Sequence, residues 1–207
     1  MMLVKRDAPS LPKTPLNREE ELLLARAASV GDRAAERRIA QMLFKKIRSI
    51  VSYTVNDAAL AEDITQSAMM HILSSLGDYR GESSIEFWAA RIAIRMALRA
   101  VKTARRRRYL LLFLPEPRTP FRPPHEQTQS MELRREINAL VGKLPEKQQV
   151  AVRLRYVHEY SIEEIAELTE APENTVRDRL QVGKKKLKRL LEKNPALSAW
   201  IARGGNV

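Results

Sequence analysis

The 207-residue chain is 44% hydrophobic but only 5% aromatic, and its 37 Lys and Arg outnumber its 25 Asp and Glu to give a formal net charge of +12. That balance of Ala, Leu, Glu, Arg and Lys predicts an all-α protein of one or two small helical domains and argues against a β fold. The absence of cysteine excludes disulfides and cysteine-zinc sites. The positive charge favours nucleic acid as partner, an anionic membrane surface next, over a merely solubilising surface.

Residues 1–16 contain Pro9, Pro12 and Pro15 without apolar periodicity and read as a tail. Lys5 and Arg6 run into Asp7, Ala8 and Pro9 rather than an apolar stretch, and Leu110 to Leu114 is too short to span a bilayer. A cytoplasmic location without membrane insertion is therefore expected. Asn17 and Glu20 suit a capping box opening a helix through Leu22, Leu23, Leu24 and Ala28. After the Gly31-Asp32 break, Asp32 caps a second helix striped with Ile39, Leu43, Ile47, Ile50 and Val51. A turn at Asn56-Asp57 leads to a third, with Leu60, Ile64, Ala68, Ile72 and Leu76 four apart and Glu62 and Asp63 read as first-turn acids. Residues 77–84, GDYRGESS, form a loop that holds Tyr79 as an exposed aromatic beside Arg80. Ser83 and Glu86 suggest a further capping box, and a helix with Phe87, Trp88, Ile92, Met96 and Val101 follows, ending in Arg105 to Arg108.

Five prolines between 115 and 124 forbid a continuous helix and mark residues 109–130 as a linker. Within it, Tyr109 to Leu114 reads either as a docking segment or as a helix end packed on the first domain. Met131, Leu133, Ile137, Leu140 and Val141 resume a helical pattern, and Pro145 starts a helix to about His158. Ser161 and Glu164 form another capping box before a short helix, and Pro172 suits the first turn of the next. In that helix Val176, Leu180, Gly183 and Leu187 share one face, leaving Asn174, Thr175, Arg177, Asp178, Arg179 and Gln181 outside. Two short helices joined by a tight turn, the second basic on its free face, read as a helix-turn-helix. The expected organisation is a helical domain over 17–108, the linker, a smaller helical domain over 131–193 and a tail over 194–207.

No catalytic, metal or cofactor site is expected. His71, His125 and His158 are dispersed, and the carboxylate pairs Glu62-Asp63 and Glu163-Glu164 are explained by helix starts. The cations form two groups. Arg177, Arg179, Lys184, Lys185, Lys186 and Lys188 extend from the second helix of the helix-turn-helix, where cations hold phosphates, although a Lys-rich last turn also complements a helix dipole. Arg91, Arg95, Arg99, Lys102 and Arg105 to Arg108 form a ridge near the Tyr79 loop. Charge that tracks a backbone beside a ring that stacks on a base is what single-stranded nucleic acid requires. Trp88 lies in line with Ile92 and reads as core before base platform.

In this order the pieces resemble a bacterial sigma factor of the extracytoplasmic-function (ECF) group in the sigma-70 family. Ala61-Glu62-Asp63-Ile64-Thr65-Gln66 and Tyr79-Arg80-Gly81-Glu82-Ser83 resemble its region 2, as do Phe87-Trp88 and Arg91-Ile92-Ala93. Leu144-Pro145, Arg155-Tyr156, Ser161 to Ala166 and Thr175-Val176-Arg177 with Arg179 resemble region 4. The resemblance implies that Glu62, Asp63 and Gln66 dock on the β′ clamp helices of core RNA polymerase, with the β flap a further contact. Tyr79, Arg80, Trp88, Arg91, Arg95, Arg99 and Lys102 would meet the melted −10 element. Asn174, Thr175, Arg177, Arg179, Lys184 and Lys185 would read the −35 element. An anti-sigma protein is the implied regulator, and the linker would thread toward the polymerase active site. Glu170 stands where glycine is usual, Phe87 where threonine is usual, and Ile94, Arg95 and Arg99 where Arg, Asn and Asp are common. The turn at Glu170 must therefore suit a side chain or be strained. The competing reading is a stand-alone helix-turn-helix regulator whose first domain binds a signal or partner.

Overall fold

The computed structural model describes residues 16–55, 57–110 and 129–193. The expected tails, apart from Leu16, and all but the ends of the expected linker lie outside them. Eight α-helices are found among the described residues: α1 (Arg18–Ser29), α2 (Arg33–Thr54), α3 (Ala58–Ser74), α4 (Ile85–Leu110), α5 (Gln129–Gly142), α6 (Glu146–Tyr156), α7 (Ile162–Thr169) and α8 (Glu173–Glu192), with a 3-10 turn at Leu76–Asp78. No strand occurs among the described residues, as the composition predicts.

Short polar side chains set most helix starts. Asn17 and Ser161 each form the expected capping box with Glu20 and Glu164, while Asp32 accepts from the Ala34 and Ala35 amides. Asp57 caps α3 by accepting from the Leu60 amide, so Glu62 and Asp63 lie in its second turn rather than its first. Ser83 does not cap α4. The Phe87 amide donates to Ser84 Oγ at 3.1 Å, because α4 begins one residue later than the expected box requires. Pro172 and Pro145 likewise stand just outside α8 and α6, as the residues before their first turns.

The N-terminal half is organised on α2, whose stripe of Ile39, Leu43, Ile47 and Val51 is fully buried against α1, α3 and α4. Each such side chain contributes on the order of 1.5–3 kcal/mol by leaving water. In the C-terminal half, Val150, Leu154, Ile165, Leu168 and Val176 bring α6, α7 and α8 together. Gly183 lets α8 approach α6 closely, since a Cβ there would stand 2.9 Å from Val152 Cγ2.

The halves are not independent bodies. The C-terminal core is continuous with Ile50 of α2 and with Phe87, Ala90 and Ile94 of α4, and the Phe87 ring meets the Tyr160 ring edge-on at 5.9 Å. Arg153, nine-tenths buried, donates to the Tyr53 carbonyl in the last turn of α2 and lies over the Tyr53 ring. That turn carries no cation of its own, so the second half supplies the positive charge that its helix dipole favours. Burial lowers the Arg153 pKa to about 10.

Candidate nucleic-acid interface

The loop between α3 and α4 is held from below by α1. Tyr79 is buried rather than exposed, which corrects the sequence expectation. Its hydroxyl lies 3.0 Å from Glu21 Oε2 and 2.8 Å from the Ser83 carbonyl, and its single proton serves one of them at a time. Burial first, then the hydrogen bond and charge of Glu21, push the Tyr79 pKa up to about 12. Glu21 also accepts from the Ile85 amide at 3.1 Å, so one buried carboxylate ties the loop to the start of α4. The sequence gives no sign of this role, because Glu21 sits in a run of three first-turn acids. Gly81, at φ 76°, takes the left-handed conformation that completes the loop.

Trp88 is buried against Tyr79, with ring centroids 5.6 Å apart. Beside these rings a cleft is bounded by Arg80, Glu82, Ser83, Arg91 and, from the C-terminal half, Glu167. Arg80 is exposed. The ridge residues on α4 divide into two sets: Arg99 and Lys102 are exposed, whereas Arg91 and Arg95 face α7. Arg91 Nη1 lies 2.6 Å from Glu167 Oε1, and Arg95 Nε lies 2.9 Å from Glu170 Oε1 in an ion pair without hydrogen-bond alignment.

Glu170 ends α7 in the left-handed conformation, φ 50° and ψ 44°. The strained alternative anticipated from the sequence is the one adopted, at a cost of roughly 1–2 kcal/mol for a residue with a Cβ. The turn delivers α8 with Val176 and Leu180 buried on α6 and α7. Asn174, Arg177, Lys184 and Lys185 are exposed, and Thr175 and Arg179 are half-buried. Arg177 is partly committed, donating to Glu173 at 3.0 Å and to Asn174 Oδ1 at 3.4 Å. Lys184 Nζ stands 6.0 Å from the ring centroid of exposed Tyr156.

On α3, Glu62, Asp63 and Gln66 are exposed together, and Glu62 pairs weakly with Arg48 at 3.9 Å. Met70, 71% exposed, lies one turn beyond Gln66 and extends the same face. Sequence reasoning missed it, although its place off the Leu60-Ile64-Ala68-Ile72 stripe was the available signal. His71 is exposed, and His158 is buried beyond α6 between the Tyr53 and Tyr160 rings. No cluster of three or more potential metal ligands occurs among the described residues, and no described helix is long and apolar enough to cross a membrane.

With this geometry established, three comparisons bear on identity. The family model "Sigma-70 region 2" matches residues 39–107, and "Sigma-70, region 4" matches residues 134–187. The RNA polymerase sigma-H factor of Pseudomonas aeruginosa is 30% identical over 174 residues, covering 80% of this chain and 90% of that protein. The ECF RNA polymerase sigma factor SigW of Bacillus subtilis is 25% identical over 170 residues, covering 78% and 91%. In fold the chain is similar to the sigma factor RpoE of Bartonella quintana, solved with the anti-sigma factor NepR, at a TM-score of 0.64 and 15% identity over 75% of this chain and 96% of that one. CnrH, solved with the cytosolic domain of CnrY, gives 0.58 and 17% over 84% and 98%.

Proposed function

The chain belongs to the ECF group of the sigma-70 family, and from that premise we propose how its surfaces divide the work. It is a promoter-directing subunit of RNA polymerase. The exposed α3 face of Glu62, Asp63, Gln66 and Met70 docks on the β′ clamp helices. The Tyr79 loop, with Arg80, Trp88 and the α4 ridge, receives the melted −10 strand. Because Tyr79 is buried, its part is to shape the cleft for a flipped base rather than to offer an open stacking face. The N-terminal end of α8, with Asn174, Thr175, Arg177 and Arg179, enters the −35 major groove while Lys184 and Lys185 hold phosphates. The chain performs no reaction of its own, works in the cytoplasm, contacts the β flap through its C-terminal half and is restrained by an anti-sigma protein. The structure of the fold relative RpoE with the anti-sigma factor NepR supports that last assignment.

The observation that carries this reading is one chain holding two distinct basic surfaces, a helix-turn-helix for duplex DNA and a ridge beside an aromatic cleft for a single strand. Reconstitution with core polymerase on genomic DNA, with mapping of transcript starts, tests it directly. Asp63→Arg combined with Gln66→Ala is expected to weaken core binding at least about tenfold by charge reversal and lost contact. Unchanged binding would remove the docking assignment. Promoter affinity should fall steeply with salt as Lys and Arg contacts release counterions.

A further inference from the structure

Resting on the assignment of the Tyr79 loop to the −10 strand, we propose that Glu21 of α1 is a positioning residue for base selection, which from beneath the cleft fixes the loop and the start of α4 at the spacing that admits a flipped base. α1 carries none of the surfaces assigned above, and none of its residues lines the cleft. Its influence is exerted through one atom. Glu21 Oε2 lies 3.0 Å from the Tyr79 hydroxyl and accepts from the Ile85 amide at 3.1 Å, so it holds both ends of the 79–85 segment that forms the rim.

Ile85 opens α4, so its N–H is one of the four that no carbonyl of the helix can satisfy, and a carboxylate there also meets the positive end of the helix dipole. Trp88 follows three residues on, with its ring centroid 5.6 Å from that of Tyr79. Tying the Tyr79 hydroxyl and the Ile85 amide to one oxygen therefore sets the separation of the two rings. Leu22 supports the turn between them, since a Cβ on Gly81 would stand 3.7 Å from Leu22 Cδ2. An apolar side chain at position 21 would hold α1 under the loop by burial alone, without desolvating a charge. What the carboxylate adds is direction, because hydrogen bonds fix distances and angles that apolar contact leaves soft. No ion pair reaches Glu21 among the described residues, and its charge is committed to these two donors.

The test offers the full chain, assembled with core polymerase, a pool of DNA duplexes that carry a short central bubble of random non-template bases, and sequences the bound fraction. The parent should enrich one base at one bubble position about tenfold, the order of a single base contact. Glu21→Leu keeps apolar bulk but removes both acceptor bonds, and should lower that enrichment about threefold, the order of one hydrogen bond's net contribution. Glu21→Gln, whose amide oxygen can accept from both donors, should stay close to the parent. Loss of folded protein reduces the amount of complex but does not change which base is chosen, so the readout separates positioning from stability. Tyr79→Phe keeps the ring and drops only the hydroxyl. It should lower the enrichment by no more than Glu21→Leu does, and the double variant should match Glu21→Leu alone, as for two residues that act through one bond. Where Glu21→Leu forms no complex, Tyr79→Phe against Glu21→Gln decides. Unchanged enrichment in Glu21→Leu or Tyr79→Phe, or an additive loss in the double variant, would overturn the role of Glu21 and leave the loop assignment standing. A parent that enriches no base would remove the loop assignment itself, and the role of Glu21 with it.

Discussion

Glu21 illustrates how a single buried charge organises a loop. Its carboxylate is 8% exposed and accepts from two donors more than fifty residues away in sequence, the Tyr79 hydroxyl and the Ile85 amide. Truncation would leave Tyr79 its alternative acceptor, the Ser83 carbonyl, but would strand the Ile85 amide in a dry site. Glu21→Ala is therefore expected to destabilise the fold by about 1–3 kcal/mol, and Glu21→Gln, which retains a carbonyl acceptor, by less. Urea denaturation of the two variants measures the difference. Tyr79 itself shows where reading residue types fails. An aromatic among Gly, Asp and Ser looks exposed, and only the distant Glu21 reveals that the ring is turned inward.

At the scale of elements, most of the fold was legible. Apolar residues three and four apart marked the helices, and Asn17, Asp32 and Ser161 marked three starts that the structure reproduces. The misplacement at α4 came from two adjacent serines, either of which can cap. The choice of Ser84 follows from tertiary context, because the Ser83 carbonyl lies within reach of Tyr79. Gly183 was legible as a member of the buried face of α8 but not as the point of closest approach to α6, which depends on Val152 in another helix. Filling that space with Gly183→Leu should force α8 off α6 at a cost of about 1–3 kcal/mol. A matching fall in thermal midpoint, without loss of helical signal before the transition, would be the calorimetric and circular-dichroism signature.

For the molecule as a whole, the sequence indicated two halves but not their contact. Phe87 and Ile94 are ordinary apolar residues of an amphipathic helix, and Arg91 and Arg95 are ordinary members of a basic ridge. Nothing local distinguishes a face meant for solvent or DNA from one covered by a second half. The contact also has a pH signature. His158, packed between Tyr53 and Tyr160 with Arg153 and Lys46 nearby, has its pKa lowered to about 4 by burial first and by the Lys46 charge second. Its folded form stays neutral while the unfolded chain takes up a proton near pH 6.5. Stability is therefore intact above that value and declines as pH falls toward 4, by at most about 1.4 kcal/mol per unit. Between pH 7 and 5, His158→Phe should lose about 1–2 kcal/mol less than the parent in chemical denaturation. An identical loss in both would assign the acid sensitivity to carboxylates.

The left-handed Glu170 has a genetic side. Codons for glycine and glutamate, GGA and GAA for example, differ by one base, so a single point mutation can turn an unstrained helix-turn-helix corner into one that carries a carboxylate. The strain of the turn and the ion pair with Arg95 would then arise together, with no intermediate that has one and lacks the other. A change of that kind gives a DNA-reading module a hold on its neighbouring half while leaving every residue of its reading helix untouched.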